Sequence, residues 1–242
     1  MWEPFDFTQG DRTTMARSKR YQELKQLIDS KKIYPAAEAI ALVKQTASSK
    51  FDSTIELHAN LGIDVKKSDQ QVRFTLVLPQ ATGKIKRIAA FVAGDREKEA
   101  REAGADLVGG EELIAQIMQS GSIVFDVAVA TPDMMPKLAK LAKLLGPKGL
   151  MPNPKTETVG INVKRMVEEL KRGKVTIKND ATGNLHQAIG KASYELQPLL
   201  ENFEAIITAL RKAKPASAKG VYLKNLVLTS TMGPAVRVEV RD

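Results

Sequence analysis

The chain has 242 residues, 43% hydrophobic and 27% charged, which is enough for two domains with real cores and unlike the make-up of a disordered or membrane chain. It has no cysteine, which excludes disulfides, thiolate zinc sites and cysteine nucleophiles; its two histidines, His58 and His186, share no helix-face spacing, so neither metal nor cofactor is expected. A formal charge of +9, from 37 Lys and Arg against 28 Asp and Glu, suits a polyanion, nucleic acid ahead of a membrane surface, and no run of about 18 apolar residues exists to span a bilayer.

Residues 1–14, MWEPFDFTQGDRTT, read as a disordered N-terminal extension, an upstream start or an added remnant. They have neither the basic and apolar regions of a secretion signal nor the Arg-rich, acid-poor character of a transit peptide, which points to the cytoplasm. Met15 opens a basic lead into a helix over 18–31, and a second helix spans 36–48 with Pro35 at its start, where the missing N–H is no loss. In STIELHANLGI, Ile55, Leu57, Ala59 and Leu61 alternate with polar residues, and in QVRFTLVLP so do Val72, Phe74, Leu76 and Leu78, which predicts a sheet with one wet face.

From about residue 80 the texture changes. Continuous apolar runs, RIAAFVAG and IVFDVAVATP, alternate with the helical stretches EKEAREAG, EELIAQIMQ and MMPKLAKLAKLLG, and NVKRMVEELKRG closes the region at Gly173. Buried parallel strands between helices predict a doubly wound, Rossmann-like α/β unit. Alternation then returns in KVTIKND, followed by the helix ELQPLLENFEAIITALRKAK and the strands VYLKNLVLTS and AVRVEVRD. The tail resembles the head in type. The expected division is therefore a discontinuous α+β domain, residues 15–79 plus 173–242, with a largely antiparallel two-layer sheet, and an inserted α/β domain at 80–172, joined by two adjacent strands. The discontinuous part carries 21 basic against 13 acidic residues, so nucleic-acid binding should centre there.

An α/β insert raises the question of nucleotide chemistry, and the motifs do not answer to it. No G-x-G-x-x-G follows the first strand, Gly83-Lys84-Ile85 lacks both the upstream glycine and the Ser or Thr of a P-loop, and no G-x-S-x-G elbow or histidine triad is present. No enzyme is expected; a nucleotide-using enzyme stays as the lesser alternative. Lys137, Lys140 and Lys143 recur on one helix face, a pattern usual for solvated surfaces and a weak second RNA contact at most. The densest local signal, GPKGLMPNPK at 146–155, reads on spacing alone as a helix stop at Gly146 with Pro147 beyond it, ahead of an anion-contacting loop.

That motif, with KFDSTIELHANLGID at 50–64, GADLVGG at 104–110, NDATGNLHQAIGKAS at 179–193 and STMGP at 230–234, closely resembles the family of the first large-subunit ribosomal protein, the L-one stalk protein family, in its bacterial form. The resemblance runs from Met15 to the C-terminus. It implies a monomeric, hinged protein of the large ribosomal subunit whose split domain binds large-subunit rRNA at the mobile stalk. It also implies help in releasing deacylated tRNA from the exit site, and repression of translation by binding the protein's own mRNA. A free-standing RNA-binding repressor is the alternative within the same chemistry.

Carried onto this sequence, the family's RNA contacts fall on Lys50, Phe51 and Thr54 before and at the first strand, and on Thr231, Met232 and Gly233 near the end. Lys50 would neutralise phosphate, Phe51 would offer a flat apolar surface, the threonines would meet 2′-hydroxyls, and Gly233 would let RNA approach the backbone. Asp180 and His186 would line the same surface. Without the resemblance, Phe51 reads first as a core aromatic and TMGP as a plain hairpin turn. Gly83 and Gly173 flank the two crossings as the expected hinge.

Overall fold

The computed structural model describes residues 18–29, 31–83 and 86–240; the extension expected at 1–14 lies outside them. In chain order the main elements are α1 (Lys19–Gln26), α2 (Ala36–Gln45), β1 (Thr54–Leu61), β2 (Arg73–Val77), β3 (Ile88–Phe91), α3 (Glu97–Glu102), β4 (Leu107–Gly109), α4 (Glu111–Ser120) and β5 (Val127–Ala130). They continue with α5 (Met135–Leu138), α6 (Ala142–Leu145), α7 (Val163–Lys171), β6 (Lys174–Lys178), β7 (Asn184–Lys191), α8 (Leu196–Lys212), β8 (Leu223–Ser230) and β9 (Val236–Val238). Helices with both antiparallel and parallel sheets make the fold α/β in the broad sense.

Three sheets form. An antiparallel sheet has the order β7-β1-β8-β9, β2 pairs with β6 in an antiparallel ribbon, and a parallel sheet has the order β4-β3-β5. In β1 the inward residues Ile55, Leu57, Ala59 and Leu61 are at most 3% exposed, while Thr54, Glu56, His58 and Asn60 between them are half-buried. The inward side meets α2 through Ala39, Ile40 and Val43, and α8 through Leu199, Phe203, Ile206 and Leu210. Spacings of three and four place each set on one helix stripe, so both helices cover the same side and the opposite side stays open.

The parallel sheet is built the other way. Ala89 and Phe91 of β3 pack with Ile114, Ile117, Leu138, Leu141 and Leu145 on one face, while Ile88, Ala90 and Val92 pack with Ala100, Val163, Val167 and Leu170 on the other. Helices on both faces leave no wet side, which is why RIAAFVAG has no alternation. The expected single helix over MMPKLAKLAKLLG is broken, with Ala139–Leu141 forming a 3-10 turn between α5 and α6. Leu138 and Leu141 are three apart, a spacing that lines up in a 3-10 turn, and both are fully buried.

Other sequence expectations hold only in part. The alternation at Val72–Leu78 gives a strand outside the sheet of β1: β2 pairs with β6, from Arg73↔Lys178 to Val77↔Lys174, as expected of the two adjacent strands. The strand into residue 79 and the strand after Gly173 therefore lie side by side. In IVFDVAVATP the strand begins only at Val127, because the Asp126 carboxylate takes the Arg87 N–H at 3.0 Å and ends the pairing there. Two strands had no signal. In β4 three residues between glycines are too few for a period, and β7 mixes Gly190 with half-buried polar residues.

Two buried polar contacts hold the crossings. Asn202 of α8, fully buried, accepts from the Gln80 N–H and donates to the carbonyls of Gln80 and Ile189, at 2.8–3.0 Å. Lys174, 5% exposed, donates to Glu169 of α7 at 2.7 Å and to Glu157, a residue in the left-handed region at φ 51°. Burial alone would lower the Lys174 amine, but the two carboxylates outweigh it and hold it above its ordinary value. Glu157 is presented by the end of the proline-rich loop, where the Asn153 carbonyl accepts from Thr156 N–H and from both threonine hydroxyls of Thr156 and Thr158. The helix-stop reading of that motif holds: Gly146 N–H closes α6 onto Ala142.

Candidate nucleic-acid interface

The loop before β1 and the loop between β8 and β9 meet at one end of the open sheet. Thr231 N–H donates to the Thr54 carbonyl at 2.9 Å, and the Thr231 hydroxyl accepts from the Thr54 N–H at 3.2 Å. Strand pairing thus continues one step past the Ile55↔Ser230 register and locks the two loops together. The Asp52 carboxylate accepts from the Ser193 N–H and hydroxyl, and Ser53 accepts from the Ala192 N–H, which ties in the chain after β7. Lys191 of β7 donates to the Thr54 hydroxyl at 3.0 Å and to the Asp52 carbonyl at 3.3 Å.

On this frame two large apolar side chains stand in solvent, Phe51 at 56% exposure and Met232 at 66%. The reading of Phe51 as a core aromatic is excluded by its exposure. Met232 takes φ 67°, a conformation unfavourable for a residue with a side chain, and Arg20 of α1 holds it there. The Arg20 guanidinium donates to the Met232 carbonyl at 3.0 Å and to the Ser48 hydroxyl at 3.1 Å, spanning the two loops. Gly233 closes the turn with its N–H on the Ser230 carbonyl at 2.8 Å, and a Cβ there would lie 2.1 Å from Ser230 Oγ. Glycine at this position is therefore a packing requirement as well as an opening.

Of the residues singled out in the sequence, Lys50, Phe51, Thr54, Thr231, Met232 and Gly233 gather at this end. The Thr231 hydroxyl helps to lock the loops, and the Thr54 hydroxyl accepts from Lys191 while keeping its own hydrogen to donate. Asp180 and His186 lie further along the same open face. Asp180 opens the turn into β7 and accepts from the Thr182 hydroxyl and the N–H groups of Asn184 and Thr182, which hold its carboxyl down to about 2. His186 faces His58 across the β1–β7 pair, with Asn60 and Asn184 bonded beside them at 2.6 Å.

Gly83 and Gly173 both adopt positive φ, 75° and 102°. Gly83 is packed rather than free, since a Cβ would come within 2.8 Å of the Tyr194 hydroxyl, and it borders a cleft of 310 Å³ with Thr54, Lys86, Thr176 and Lys191. Gly173 approaches Ala81 of the other crossing. In α5 Lys137 is tied to Glu111 of α4 at 2.5 Å, which takes one charge out of the lysine row.

The sequence reading missed Arg20, Lys191 and His58 as members of this surface. Arg20 had no signal, because its partner lies 212 residues away. Among the described residues no cluster of His, Asp or Glu is placed to hold a metal ion, and no helix is long and apolar enough to cross a membrane.

The surface is thus an open antiparallel sheet on a basic chain, edged by a rigid pair of loops that present an aromatic ring and a methionine to solvent. A protein-family comparison matches residues 43–234, most of the chain and all of this surface except Arg20 and β9, to the ribosomal protein L1p/L10e family. The chain belongs to that family, whose members are structural proteins of the ribosome and not enzymes.

Proposed function

We propose that the chain binds large-subunit rRNA at the mobile stalk through the open face of the β7-β1-β8-β9 sheet, with Phe51 and Met232 as its apolar contacts. The observation that carries this reading is the pair of exposed side chains held in place by Arg20 and by the Thr54–Thr231 bonds. A basic protein that keeps an aromatic ring out of its core and orders the loop beneath it has a surface suited to stacking on ribose or base. Lys50 beside the ring supplies phosphate neutralisation, and Gly233 supplies close backbone approach.

The rest of the reading follows the family. Residues 15–79 and 173–242 act as the RNA-binding domain and 80–172 as an inserted α/β domain that extends the stalk, with movement about residues 79–83 and 171–174. In the cytoplasm, as part of the large subunit, the chain assists release of deacylated tRNA from the exit site. Free and monomeric, it represses translation of its own mRNA by binding an RNA copy of the rRNA site. No cofactor takes part.

The test is affinity for a stalk rRNA fragment as a function of salt, for the native chain and for Phe51→Ala and Met232→Ala. Expected is tight, salt-sensitive binding that each substitution weakens by about 1–3 kcal/mol while the fold is kept. Equal affinity for unrelated RNA of the same length would overturn the reading, and nucleotide binding by the chain would be tested next.

A further inference from the structure

The open face carries one further cluster. His58 of β1 and His186 of β7 are register partners, and their Nδ1 atoms stand 2.6 Å apart. Two ring nitrogens at that distance share a hydrogen: one donates its N–H and the other accepts with its lone pair. The neutral pair and the singly charged pair both keep this contact. The doubly protonated pair loses it, because both Nδ1 atoms then carry hydrogen.

The outer nitrogens face carboxylates. His58 Nε2 lies 3.8 Å from Glu56 of the same strand, and His186 Nε2 lies 3.7 Å from Asp180 of the turn into β7. Val227 of β8 stands opposite His58, the Asn60–Asn184 bond lies beside it, and Lys66 and Lys178 line one cleft with Asp180. Further along the sheet stand Arg237, opposite Val227 on β9, Lys224 beside Asn225 on β8, and Lys191, at the far end of β7.

A polyanion that settles on this face therefore meets two carboxylates with the imidazole pair between them. One added proton there reduces the mismatch. It leaves the Nδ1 contact intact, places positive charge between Glu56 and Asp180, and puts an N–H donor on each outer nitrogen. Resting on the rRNA-binding reading, we propose that His58 and His186 form a shared-proton contact to the RNA backbone, so that binding at this face takes up a proton near neutral pH. Supporting this, burial first and His186 second hold the His58 imidazole below its ordinary 6.5 against the opposing pull of Glu56. A phosphate nearby pulls in the opposite direction, and that difference is the linkage.

The experiment measures affinity of the full chain for the stalk rRNA fragment from pH 8 to pH 6 at fixed salt, for the native protein, His58→Gln and His186→Gln, with the histidine ring resonances followed in free and bound protein. Expected are affinity that rises roughly three- to ten-fold on acidification, a flat profile in both variants, and ring titrations that move upward on binding. Either a native profile without pH dependence, or one whose slope persists in both variants, would overturn the proton-linked contact. The RNA-binding reading itself would survive that result if Phe51→Ala still weakens binding. Loss of preference for the fragment over unrelated RNA would instead remove the reading on which the proposal rests.

Discussion

The two larger sheets solve the same burial problem differently. The parallel sheet β4-β3-β5 is covered on both faces, so each residue of β3 is buried and the strand reads as an uninterrupted apolar run. The antiparallel sheet β7-β1-β8-β9 is covered by α2 and α8 on one face only, so β1 alternates and half of its side chains remain available. A sheet with two covered faces is a scaffold. A sheet with one open face is able to receive a partner, and the candidate RNA contacts all lie on it or at its edge.

The comparison predicts a steep asymmetry in stability. Phe91→Ala should cost about 3–5 kcal/mol in denaturant unfolding, and Leu57→Ala on the inward side of β1 about 2–5 kcal/mol. Thr229→Ala and Asn225→Ala on the open face should stay within about 0.5 kcal/mol. Equal costs at inward and outward positions would show that the open face is packed against something in solution.

Lys174 joins the two regions. Neutralising both partners, with Glu157→Gln and Glu169→Gln together, leaves a buried amine unpaired and should cost about 3 kcal/mol in the same measurement, whereas Lys174→Met, which removes the charge itself, should cost clearly less. A smaller cost for the double variant than for Lys174→Met would mean that the pair contributes little to holding the ribbon.

At the open edge the expected effects are on binding. Arg20→Ala frees the Met232 carbonyl and the positive-φ backbone, and should weaken RNA affinity by about 1 kcal/mol with little change in stability, because the half-buried Arg20 bonds only loop groups at the surface. Gly233→Ala brings a Cβ against Ser230 and should do at least as much. Unchanged affinity in both would separate loop order from recognition.

The smallest effect is on pH. Glu169 lies below its ordinary 4.5, through Lys174 first and Arg165 second, so its stabilisation is present above that value and lost as pH falls through its lower folded one. Lys174, held above its ordinary 10.5, contributes in full below that value and loses its contribution as pH rises through its folded one. Stability of Glu169→Gln should therefore fall less steeply below pH 4.5 than that of the native chain, read from thermal unfolding across the acid range. Parallel acid limbs would remove Glu169 from the account.

Much of this was readable from the residues. Alternation in β1, stripes in α2 and α8 and continuous runs in β3 follow from side-chain period alone, since each residue's burial is repeated by neighbours two or four places on. Where an element is too short or too mixed to repeat, as in Leu107–Gly109 or in β7 around Gly190, no period could be seen. The helix break at Ala139 was hidden for a similar reason: only the core it faces decides between spacings of three and four. Phe51, Met232 and Gly233 are candidates through a family resemblance; without it Phe51 at a strand end reads as a core aromatic, and its exposure corrects that.

By itself, then, the sequence determined the charge, the elements with strong periods, and the motifs that mark the loop edge. Only tertiary structure decided which face of which sheet stays open, the register in which β2 pairs with β6, and that residues distant in the chain meet. Arg20 with Met232, Lys174 with Glu157, and His58 with His186 across 128 residues are such meetings. The reason is physical: period reports a residue's own burial, whereas a contact between side chains depends on the register and packing of two elements at once, which neither segment encodes alone.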